Sequence, residues 1–199
     1  EEDAALAASS GATHAGLIFA DASKRKVGSY ASAVADAARR GGAKVVGVFQ
    51  DQDFALVAAT AHDLSLDAVQ LHGSESGLDA LKAKLRDACE IWAACPVGAE
   101  VPPERSGADR ILYDTQKNGR TGGTGKTFDW SLLKDRPALP EAFIAGGLNP
   151  SNARAAQQVR AYGIDVSSGV ESEPGVKDES KVAALFESLR PAWGRAACA

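Results

Sequence analysis

Seven times along the chain a short apolar run gives way to a helical or helix-like stretch, and this alternation most constrains the fold. The apolar runs fall at 15–19, 44–49, 68–71, 91–94, 110–113, 142–145 and 163–166. Amphipathic stretches predict helices over 29–40, 51–64, 74–88, 150–159 and 180–189, and an alanine-rich helix over 1–10 stops at Gly11. Ser29, Asp51 and Asp53 are candidate helix caps, and Gly41-Gly42 is a stop. Continuous apolar strands alternating with helices mean a parallel sheet covered on its faces. Two solutions remain, an open doubly wound sheet and a closed (β/α)8 barrel.

The glycines separate them. A dinucleotide-binding sheet carries its glycine-rich turn after the first strand. Here that position reads Ala20-Asp21-Ala22-Ser23-Lys24-Arg25, without glycine. The glycine turns follow the last two strands instead, as Ala145-Gly146-Gly147 and Ser167-Ser168-Gly169. Barrels commonly build a phosphate site from the loops after strands 7 and 8. The expectation is an α/β (β/α)8 TIM barrel missing its first strand, a single domain over 1–199. The absence of methionine and the opening Glu1-Glu2-Asp3 read as a processed, excised or incomplete start.

Composition narrows the function. A net charge of -4 over 199 residues offers no basic face for nucleic acid. No apolar run reaches the roughly 18 residues of a membrane span, and no signal peptide is visible, so the expected location is the cytoplasm. Cys89, Cys95 and Cys198 form no C-x-x-C pair, and His14, His62 and His72 are scattered, so no metal site is expected. "NGRTGGTGKT", 118–127, ends like a P-loop but has Arg120 where that motif needs glycine, and no long helix follows.

Chemistry in such barrels sits at the carboxyl ends of the strands. Those ends hold Arg25, Gln70, His72, Asp114 and the two glycine turns. Each has a plain alternative: Asp114 as a turn cap, Arg25 as a solvated charge, His72 bonded to its own loop, the glycines as tight turns. Together they point to acid–base work on a small phosphorylated substrate with a second anionic group. Arginine grips a carboxylate through two parallel hydrogen bonds, and a desolvated Asp114 with a raised pKa can act as a general acid.

The stretches "GLIFADASKRKV", "VGVFQD", "AVQLHGSES", "ILYDTQKNGRTGGTGKTFDWSLL", "AGGLNPSN" and "IDVSSGVESEPGVKD" resemble the phosphoribosylanthranilate isomerases of tryptophan biosynthesis. The resemblance runs over nearly the whole chain. It turns "GGTGKTFDW" into that family's loop after its sixth strand, which covers the active site. It implies an Amadori rearrangement of N-(5'-phosphoribosyl)anthranilate, with no metal or cofactor. It implies Asp114 as general acid and Arg25 as the holder of the anthranilate carboxylate. Gly146, Gly147, Ser168 and Gly169 would hold the phosphate, Asp165 is a further site position, and Gln70 and His72 line the pocket.

Two departures stand beside the resemblance. The family opens with a strand reading roughly K-x-C-G-[IL]-T, whose cysteine is the general base, and this chain begins just after it. None of its own three cysteines is placed to substitute. Ala93 stands where many of the family carry lysine, which puts one pocket contact in doubt. The expected consequences are impaired turnover, exposed strand edges around Leu17 and Ile164, and self-association or pairing with the missing N-terminal segment. Fusion to an indole-3-glycerol-phosphate synthase barrel is a further expectation. The alternatives are the related histidine-pathway isomerase and a non-catalytic, phosphate-binding remnant.

Overall fold

The strand segments assemble into one parallel sheet, and the helices lie on its outer face. The computed structural model describes residues 1–73, 77–117, 120–121 and 127–190. Helix α1 spans Glu2–Ser10, followed by β1 at His14–Ile18, α2 at Ala31–Arg40, β2 at Lys44–Gln50 and α3 at Phe54–Asp63. Then come β3 at Ala68–His72, α4 at Leu78–Lys82, β4 at Glu90–Val97, β5 at Arg110–Lys117 and β6 at Arg120–Thr121. The last part holds β7 at Phe143–Ile144, α5 at Ala153–Gln157, β8 at Gly163–Ile164, β9 at Glu171–Glu173, β10 at Val176–Lys177 and α6 at Glu179–Leu189.

The sheet order is β1-β2-β3-β4-β5-β7-β8, and its pairs are parallel throughout. These are the seven strands expected of a (β/α)8-type barrel that lacks one. Among the described residues β1 and β8 end the order and do not pair with each other. No described helix is long and apolar enough to cross a membrane.

Period-2 alternation decides what each face carries. Val45, Val69, Ile91, Ala93, Cys95, Ile111, Tyr113 and Ile144 belong to one buried cluster with helix residues such as Ala38, Val57 and Leu81. Their strand neighbours Val46, Ala68, Trp92, Ala94, Leu112, Phe143 and Ala145 form a separate cluster inside the curve of the sheet. Burying each large apolar side chain contributes about 1.5–3 kcal/mol, so both layers hold the sheet. Trp92 and Phe143 lie tilted against each other with ring centroids 4.4 Å apart, and His14 meets both rings edge-on. Glu90 accepts from Trp92 Nε1 and Arg110 Nε, and the Arg110 guanidinium lies 3.9 Å over the Tyr162 ring. This floor closes the amino-terminal end of the strands.

The sequence expectations needed several corrections. The helix expected over 74–88 is only Leu78–Lys82, because i→i+3 bonds from Lys84 and Cys89 tighten the chain into turns; residues 74–76 lie outside the described ones. The helix expected from 150 starts at Ala153, because the Asn149 carboxamide accepts from Ser151 N and Ser151 Oγ and makes a turn first. Ser29 does not cap α2, whose first flanking residue is Tyr30. Asp53, not Asp51, caps α3 by accepting from Ala55 N. The strand at 110–113 runs on to Lys117 and folds back as a hairpin with β6, so Asp114 lies within a strand. The hairpin of β9 and β10 was not foreseen.

Helix α1 packs outside the sheet against α2 and α6. The contact with α2 is close: a Cβ on Gly41 would fall 2.4 Å from that of Ala8. Asp3 adds a long-range bond, accepting from the Lys177 amide at 2.8 Å.

Candidate active site

Asp114 follows Leu112 by two residues on β5, so the alternation of the strand points it into the sheet's hollow, at the carboxyl end. It is 4% exposed, and its Oδ1 is buried without a hydrogen-bond partner among the described residues. Burial, then the nearby Asp165 charge, push its carboxyl up to about 7, against a smaller opposing bond from the Thr115 backbone. At neutral pH it is thus poised between acid and base.

The first glycine turn lies against this carboxyl, and the second packs on the first. Gly146 has φ 86°, and a Cβ there would stand 2.6 Å from Asp114 Oδ1 and 2.4 Å from Thr115 Oγ1. Thr115 fastens the neighbourhood, donating to the Gly146 carbonyl and accepting from the Phe128 amide. Gly169 packs so tightly that a Cβ would fall 1.9 Å from the Leu148 carbonyl oxygen. The two turns therefore touch backbone to backbone. Asn149 and Asn152 both donate to the Gly147 carbonyl, turning that oxygen away from service elsewhere. Among the described residues none accepts a hydrogen bond from the amides of Gly147, Leu148 or Ser168. Clustered free amides on a glycine-rich backbone suit an oxyanion.

Asp165 directly follows β8, its amide donating to the Ile144 carbonyl, and as the second residue after Gly163 it continues the inner face. Burial raises its carboxyl pKa, and the charge of Lys177 opposes the rise. Gln70 and His72 lie on the same face of β3 and bond to each other at 2.8 Å. Burial, then the Arg105 charge, lower His72 to about 4, so its ring is neutral at pH 7 and takes the Gln70 amide proton.

Arg25 lies in the loop after β1, beside the bridge from Ile18 to Lys26. Its Nε donates to both oxygens of Glu171, and its Nη2 donates to Oε2 at 2.7 Å. Lys177 Nζ stands 3.5 Å from the same carboxylate. Thr115, Glu171 and Lys177 were missed from sequence. The last two stand in "VSSGVESEPGVKD", where charges on a short hairpin look like surface residues.

The thiols are elsewhere. Cys89 directly precedes β4 and does not close a helix, and Cys95 lies within β4 on the helix-covered face. Burial raises both thiols, Cys95 to about 11. Ala93 shares that outer face, so its side chain lies outside the pocket in which a contact was in doubt. Cys198 and most of 118–127 lie outside the described residues. Replacing Cys89 and Cys95 with alanine is expected to leave any turnover within about twofold, at a stability cost of roughly 1–2 kcal/mol. A steady-state assay beside a urea titration checks both. Among the described residues no three His, Cys, Asp or Glu are grouped to hold a metal ion.

A helix-covered parallel sheet with a buried carboxyl and two touching glycine turns at its carboxyl end is the layout of a phosphate-handling barrel enzyme. The family model for N-(5'phosphoribosyl)anthranilate (PRA) isomerase matches residues 1–188, and the chain belongs to that family. It is 45% identical to the tryptophan biosynthesis protein TrpCF of Yersinia pestis over 95% of this chain and 39% of that protein. The chain thus spans about two-fifths of the length of the TrpCF relatives. It is 40% identical to the N-(5'-phosphoribosyl)anthranilate isomerase of Rhodopseudomonas palustris, over 94% of this chain and 89% of that one. The phosphoribosyl anthranilate isomerase structure from Thermus thermophilus superposes with a TM-score of 0.79 at 30% identity, covering 94% and 92% of the two chains. A further isomerase, in complex with reduced 1-(o-carboxyphenylamino)-1-deoxyribulose 5-phosphate, gives 0.69 at 30% identity over the same shares.

Proposed function

We propose that this chain catalyses the aldose–ketose step of tryptophan biosynthesis. In that step N-(5'-phosphoribosyl)anthranilate becomes 1-(2-carboxyphenylamino)-1-deoxyribulose 5-phosphate. The observation that carries the reading is the unpartnered Oδ1 of Asp114, on a carboxyl raised to about 7 beside Gly146. Protonated Asp114 gives its proton to the ribose ring oxygen, the C1'–O bond breaks, and the nitrogen lone pair forms a Schiff base. A base then removes the C2' proton, and the enolamine tautomerises to the ketone. The turns at Gly146-Gly147 and Ser168-Gly169 hold the phosphate, and Arg25 holds the anthranilate carboxylate. Asp165, Gln70 and His72 line the space between.

Residues 1–199 act as one barrel unit in the cytoplasm, without cofactor. The coverage of only two-fifths of each TrpCF relative supports a joined partner, the indole-3-glycerol-phosphate synthase barrel. The base is the cysteine of a K-x-C-G-[IL]-T strand seated between β1 and β8. That seat is supported by the unpaired ends of the described sheet and by two described thiols that face away.

The test is loss of substrate fluorescence, measured on the chain as it stands and with that strand placed before Glu1. The extended chain is expected to turn over at least about a hundredfold faster, the usual range for a positioned base. It is also expected to sediment as a smaller species, because an open sheet edge invites pairing. Equal full rates for both forms would sink the assignment of the base. Binding of the reduced product analogue without turnover in either form would favour the non-catalytic reading.

A further inference from the structure

Arg25 and Glu171 are joined across the molecule, from the loop after β1 to the first residue of β9. The Glu171 side chain is 5% exposed and that of Arg25 24%. The contact uses the Nε and Nη2 edge of the guanidinium. A guanidinium has a second fork, between Nη1 and Nη2, that can take another carboxylate at the same time. Burial by itself would raise the Glu171 carboxyl, but the bonds from Arg25 and the charge of Lys177 hold it below its ordinary value. Lys177 Nζ also donates to the Ser167 carbonyl, which ties the cluster to the second glycine turn. The turn of the β9–β10 hairpin lies against the backbone of Lys24 and Arg25, at Gly175. Arg25 and Lys177 thus set two cations against the Glu171 carboxylate, and Lys177 also acts on Asp165, whose carboxyl burial raises toward its neutral form.

We propose that Glu171 is a positioning residue. It fixes the plane of the Arg25 guanidinium so that the free fork faces the ligand's carboxylate, and Lys177 keeps the cluster cationic. The proposal rests on the isomerase reading above, with Arg25 at the carboxylate. It makes the β9–β10 hairpin, remote from the bond changes, a determinant of selectivity for a carboxylated aromatic ring. Lysine in place of Arg25 would lack the fork.

The experiment is calorimetric titration with two ligands, the reduced product analogue and its counterpart with a plain phenyl ring. Glu171→Gln is expected to weaken the carboxylated ligand about tenfold, the loss of a charge-assisted orientation. It is expected to leave the phenyl ligand within about twofold, which also shows that the variant is folded. Arg25→Lys should cause the same selective loss, and the double variant should lose no more than either alone, because the two side chains act as one unit. Equal weakening of both ligands, or of neither, overturns the proposal, as does full additivity. A wild-type chain that binds neither ligand overturns the isomerase reading and this proposal with it.

Discussion

Asp114→Asn is expected to lower kcat by about a thousandfold, the middle of the range for losing a positioned general acid. The amide fills the same space beside Gly146 but has no proton to give the ring oxygen. In the wild type kcat/KM should fall as pH rises through about 7, because only the protonated carboxyl is the acid. A rate profile from pH 5 to 9 on the strand-extended chain checks both statements, and a flat profile would remove Asp114 from the role. Stability should fall over the same rise in pH. The folded-state pKa of about 7 lies above the ordinary 3.8, so the folded state holds this proton more tightly than the unfolded one. The associated stability is fully present below about pH 4 and is lost as pH rises through 7. By pH 8 the asparagine variant should be the more stable, by at most about 4 kcal/mol, and the two should converge near pH 4. Urea titrations at the two pH values measure the difference. An activity-bearing carboxyl that weakens the fold is a known exchange between stability and function.

The second large effect is expected from Gly169→Ala. Its Cβ would fall 1.9 Å from the Leu148 carbonyl oxygen, with Asn149 Cα at 2.9 Å, so backbone must move. Overpacking of this kind costs about 1–3 kcal/mol. The movement parts the two glycine turns, so the variant's inhibition constant for inorganic phosphate should rise by about tenfold or more, matching the loss of one or two amide contacts to an anion. Unchanged stability and phosphate inhibition would show that the turns are merely adjacent.

The barrel architecture was legible because β2, β3 and β4 are buried on both faces and read as nearly unbroken apolar runs. Asp114, Gly146 and Gly169 were legible because strand ends and glycine turns are local signals. What the sequence hid depends on pairing between distant segments. Glu171 looked like a loop charge until it met Arg25, 146 positions away. Thr115 looked like the start of a loop, yet it is 3% exposed and pins the Gly146 turn. The extent of β5 was underestimated because Asp114, Thr115, Gln116 and Lys117 are polar, and distant pairing keeps them extended: β4 holds the first two and β6 the last two. The helix after β7 was overestimated because a side-chain turn at Asn149 competes with its first helical bonds, and the one after β3 because backbone i→i+3 bonds end it early.

The bond between Asp3 and the Lys177 amide, with α1 resting on α6, bears on how the molecule is made. During synthesis the first helix leaves the ribosome long before the segment it finally rests on. Until the last quarter of the chain emerges, the α6-facing side of α1 has nothing to cover it. Contacts of such long sequence separation form late and slow the search for the native state. A nascent chain halted after β7 would thus carry α1 covered by α2 but bare on its α6 side, the kind of exposed apolar surface that makes partly made chains prone to aggregate.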